Sequence, residues 1–170
     1  MFSFRIELYM PGILISGTYE MKIYRRLSSA LNSDLQPHLT LKSAIVTPVH
    51  QPKKAERLST LLINRAHIVL AATLKEPPPP PDYPVGEMVA PREEQEMMFF
   101  TPLFSIRARH YKRPGLDIVE SFNETTEDFI PLNQAHIFPF DERSPIARDF
   151  VCLGRAHMLA AYLTTDYESI

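Results

Sequence analysis

Near the N-terminus, Phe4, Ile6 and Leu8 alternate with Arg5 and Glu7, and Ile13 and Ile15 resume the alternation after Pro11-Gly12. A period of two predicts one or two strands over residues 4–18, with Gly17 as their end. The period then changes. Tyr24, Leu27 and Leu31 are spaced by three and four, which places them on one face of a short helix, and Asn32-Ser33-Asp34 supplies the stop. Residues 38–49, HLTLKSAIVTPV, read as a strand by alternation and β-branched content, ended by Pro48. A polar loop, QPKKAER, follows. A strand through Thr60 to Ile63 then meets a tight connection at Asn64-Arg65-Ala66, and a last strand runs from His67 to Leu74.

The same programme is written a second time. LLINRAHIVLAATL at residues 61–74 has a counterpart within FVCLGRAHMLAAYL at residues 150–163, and an offset of 90 sets Arg65-Ala66-His67 on Arg155-Ala156-His157. Upstream the offset is 91: Pro11 meets Pro102, Asn32 meets Asn123, Leu41 meets Leu132, Ala44 meets Ala135 and Pro48 meets Pro139. The helix pattern recurs as Leu116, Val119 and Phe122, followed by Asn123. Collinear identities joined by a shared apolar rhythm indicate an internal repeat. The expected organisation is a first unit at residues 1–74, a proline-rich linker at 75–96 and a second unit at 97–170. Asn64 and Gly154 occupy one place in the two copies, and both residue types adopt positive φ readily, which predicts a turn or bulge there.

Each final strand, His67 to Leu74 and His157 to Leu163, is apolar at consecutive positions. Both faces of such a strand need cover, and units of about seventy residues have small cores, so some of that cover is expected from another unit. The linker carries five consecutive prolines, Pro77 to Pro81. A polyproline II rod of about 3 Å per residue predicts a spacer that holds the units apart, with a docking site for a proline-recognising partner as the alternative.

Composition and charge refine this picture. Hydrophobic residues make up 45% of the chain and charged residues 22%, a globular balance. The net charge of -2 conceals +5 on residues 1–74, -4 on 75–96 and -3 on 97–170. Unlike charges on two copies of one fold suit heterologous packing, basic unit to acidic unit. The single cysteine, Cys152, lies in an apolar run, so no intramolecular disulfide is expected. MFSFRIELYMPGILISG is broken by Arg5, Glu7 and Pro11 and reads as neither signal peptide nor membrane span, making the cytoplasm the expected location.

Enzyme chemistry has little to stand on in this sequence. The six histidines show no metal-ligand spacing with cysteine or carboxylate, and the five scattered glycines form no phosphate-binding loop. No catalytic residue, metal or cofactor is expected. The repeated Arg-Ala-His admits two roles. Arg and His on equivalent turns could hold a phosphate or carboxylate, or the Arg could cap loop carbonyls while the His ring packs half-buried at a strand start.

Leu31-Asn32, then Leu39-Thr40-Leu41-Lys42-Ser43-Ala44, then Ile63-Asn64-Arg65-Ala66-His67-Ile68 resemble in order the corner, the central strand and the closing motif of Sm-like small β-barrels. Phe122-Asn123, Ile130 to Ala135 and Leu153 to Met158 repeat the pattern. The resemblance implies a mainly β (α+β) fold of two tandem Sm-like barrels, each with a short helix. It implies assembly into a ring or filament, or interaction with another protein. Sm-like proteins also bind single-stranded RNA, using the corner Asn and the Arg of the closing motif. The expected function is therefore an assembly and protein-interaction module that oligomerises through barrel edge strands, with RNA binding as the alternative. Asn32, Arg65, His67, Asn123, Arg155 and His157 are the candidate ligand or interface residues.

Overall fold

A computed structural model describes residues 1–33, 35–84 and 91–168. The chain is mainly β, and among the described residues ten strands form one antiparallel sheet that does not close on itself. The first unit holds β1 (Phe2–Met10), β2 (Ile13–Met21), α1 (Leu27–Ser33), β3 (His38–Pro48), β4 (Glu56–Asn64) and β5 (Leu70–Lys75). The second holds β6 (Glu93–Phe100), β7 (Phe104–Lys112), α2 (Ile118–Glu124), β8 (Phe129–Pro139), β9 (Ile146–Gly154) and β10 (Ala160–Leu163). The order across the sheet is β10-β6-β7-β8-β9-β5-β1-β2-β3-β4. Each unit therefore has its fifth strand beside its first, and its fourth strand at the far side. A 3-10 turn, Arg65–His67 in one unit and Arg155–His157 in the other, lies between those outermost strands. So short a connection makes the five strands curve round.

The units share their irregularities as well. Among the described residues, Ser43 and Gln134, 91 positions apart, are the two non-glycine residues with positive φ, at 47° and 48°. They sit where the β2–β3 and β7–β8 registers shift. Such bulges bend a strand. Gly17, expected to end a strand, instead lies within β2 at this bend, where a Cβ would come 3.1 Å from the Leu41 side chain. The helix face predicted from Val119 is also corrected. Ile118 and Phe122 pack toward the second core, while Val119 is exposed. Asp117 and Glu120 close a capping box that fixes where α2 begins.

The spacer expected of the prolines is not what the structure contains. The units are not held apart, because β5 pairs directly with β9. The connection reaches back to the first unit at Tyr83, whose ring lies 4.7 Å from that of Tyr24. Two cores result, and they interpenetrate. Strand β5 and the residues leading into it send Ile68 and Ala71 to the first core, and Val69, Leu70 and Ala72 to the second. Strand β9 sends Cys152 to the first and Val151 and Leu153 to the second. This explains why β5 is apolar at consecutive positions. Cys152 is fully buried, and burial pushes its thiol pKa up. No helix among the described residues is long and apolar enough to cross a membrane.

Candidate functional site

The junction between units is built on three directly opposed pairs, Leu70 with Leu153, Ala71 with Cys152 and Ala72 with Val151. The Gly154 N–H extends the ladder by donating to the Val69 carbonyl at 2.9 Å. Gly154 and Asn64 do not adopt the positive φ that their composition suggested, since their φ values are -62° and -74°. Two different causes replace that reading. At Gly154 a Cβ would stand 2.4 Å from the Ile68 carbonyl oxygen, so glycine admits the neighbouring strand. At Asn64 the side chain accepts from the Ala66 N–H at 3.0 Å and caps the 3-10 turn.

Side chains clasp the joint on both sides. Asn32, in the last turn of α1, donates its Nδ2 to the Phe129 carbonyl and accepts the Phe129 N–H at Oδ1, both at 2.9 Å. One amide thus reads both backbone groups of a residue 97 positions away. His157 Nε2 lies 2.7 Å from the Ala66 carbonyl oxygen. A carbonyl can only accept, so Nε2 carries the proton in this contact. Arg148 on β9 donates to Glu7 on β1 at 2.9 Å, reaching past β5.

Arg65 donates to the carbonyls of Leu31 and of Gln36, the latter at 2.9 Å, and its guanidinium lies 5.8 Å from the Phe129 ring centroid. Arg155 meets the Thr125 carbonyl at 3.4 Å and Asp128 at 3.9 Å. A cavity of about 530 Å³ opens here, with Arg65, Phe129, Arg155 and His157 in its wall. Of the six residues singled out in the sequence, Asn32, Arg65 and His157 thus meet across the junction, with Arg155 at its rim. His67 and Asn123 are exposed and do not line the cavity. Phe129, Glu7 and Arg148 belong to the junction yet carried no sequence signal, because their copies are His38, Met98 and Leu58. Among the described residues no group of three or more His, Cys, Asp or Glu is placed to hold a metal ion.

Comparison of the chain with family models, characterised proteins and solved structures finds no match to any of them.

Proposed function

We propose that this chain is a non-enzymatic assembly module of two Sm-like barrel units, which associates with copies of itself or with another protein through its free edge strands. The observation that carries the reading is the state of the two outermost strands. Strands β5 and β9 complete each other inside the chain, while their counterparts β10 and β4 stand at opposite ends of the sheet. An edge strand presents a row of backbone N–H and C=O groups that a further strand can satisfy. The Sm-like likeness is supported by the recurrence in both units of curved five-strand order, Asn in the last helical turn and Arg in the 3-10 turn after the fourth strand.

Single-stranded RNA binding is the second reading, favoured by the cavity that Arg65, Arg155 and His157 border. It has less support, since Asn32 and Arg65 are engaged with backbone groups of the protein. Sedimentation or light scattering across concentration tests the assembly reading. Particles that grow with concentration are the expected result. A fully folded monomer of 19.5 kDa at every concentration would overturn self-assembly.

A further inference from the structure

Because the two units repeat, the internal joint predicts the contacts of a second joint that one chain alone cannot make. We infer that β10 of one copy pairs antiparallel with β4 of another in the register of the β5–β9 junction, locked by Asn123 and His67. The inference rests on the assembly reading and deepens it by naming the partner, the strands and the clasps. Offsets of 90 convert the observed pairs into Ala160 opposite Ile63, Ala161 opposite Leu62 and Tyr162 opposite Leu61 between copies. The Gly154 to Val69 hydrogen bond becomes Asn64 N–H to the Leu159 carbonyl. The Asn32 clasp on Phe129 becomes Asn123 on the backbone of His38, and the His157 contact with Ala66 becomes His67 with the Ala156 carbonyl.

Burial marks these edges as halves of an absent joint. Val69 is 1% exposed, while its copy Leu159 is 67% exposed. Cys152 is 0% exposed, while its copy Leu62 is 65% exposed. Asn123 and His67 are exposed where Asn32 and His157 are half-buried. The ion pair of Glu7 with Arg148 is replaced at the copied positions by Met98 and Leu58, an apolar couple suited to the same place. The partners also carry opposite charge, since β4 belongs to the unit with +5 and β10 to the unit with -3. One position differs in kind. Asn64 stands where Gly154 admits the neighbouring backbone, and a Cβ at Gly154 would come within 2.4 Å of a carbonyl oxygen. The joint between copies must therefore open slightly there, which makes it weaker than the internal one and dependent on concentration. The contact is heterologous, so it leaves one free edge of each kind and propagates into a ring or filament.

The test mixes two full-length variants, Leu62→Cys and Ala161→Cys, under oxidising conditions. Directly opposed residues have Cα atoms about 4.5–5.5 Å apart in an antiparallel pair, within disulfide range. A disulfide dimer enriched in the mixture over either variant alone is expected, with the native Cys152 buried and silent. Asn123→Ala, an exposed substitution, is expected to weaken association about tenfold or more by removing two hydrogen bonds from the joint. Association that persists with no mixed disulfide and no response to Asn123→Ala would overturn this register and leave the assembly reading standing. A chain that stays monomeric throughout would overturn both.

Discussion

His110 shows how a single side chain ties this fold to pH. It sits on β7 with its ring stacked on Phe122, 4.9 Å between centroids, and its Nδ1 is buried without a hydrogen-bond partner among the described residues. Burial, and then the charge of Lys112, holds its pKa down to about 4. The unfolded chain protonates His110 below its ordinary value of about 6.5, whereas the folded chain resists until about 4. The unfolded state therefore binds more protons between those values, and stability falls as pH drops through that window. Above the window the contribution is whole, and below it no further loss comes from this group. Urea midpoints measured from pH 7 to pH 4 are expected to decline less for His110→Phe than for the native chain. Equal declines would assign the effect to other groups. The sequence offered no hint of this, because His110 is a polar residue in a strand and only its placement under α2 removes it from water.

At the scale of elements, the contrast between β5 and β10 is the most informative, since equivalent strands of the two units meet different surroundings. Val69 is held between two units, and Leu159 by one. Val69→Lys buries an uncompensated charge and is expected to cost more than about 3 kcal/mol, visible as loss of the cooperative thermal transition. Leu159→Lys leaves the fold and its melting temperature nearly unchanged, and is expected to abolish concentration-dependent association. A Leu159→Lys protein that still assembles would remove β10 from the contact. Strand existence was legible from the period-two pattern of β1, β3 and β8, where one face meets a core. Helix facing in the second unit was not legible, because Ile118, Val119 and Phe122 offer competing apolar faces and only packing on the second core selects Ile118 and Phe122.

For the whole molecule, the uneven charge governs what can approach. If RNA binds, its affinity arises from the first unit, which holds 9 Lys and Arg residues against 4 Asp and Glu. Phosphate contacts release counterions, so such binding falls steeply with salt. Titration of labelled single-stranded RNA at about 50 and 200 mM salt is expected to show weak binding at the lower concentration and none at the higher. Tight binding that ignores salt would point to base stacking in the junction cavity and promote the second reading over the first.

The amino-acid sequence by itself determined that the chain is mainly β, that one unit is written twice, and that β5 must be covered on both faces. These follow from local periodicity and from self-similarity, which need no knowledge of what lies nearby in space. Only the tertiary structure decided what provides the cover. It placed β9 against β5, turned Asn32 from a corner residue into a clasp on Phe129, and made Gly154 a point of strand approach instead of a left-handed turn. The physical reason is that each of these contacts joins residues about eighty or more positions apart. Pairing at that range depends on which edges the curved units leave free, and no run of neighbouring residues encodes it.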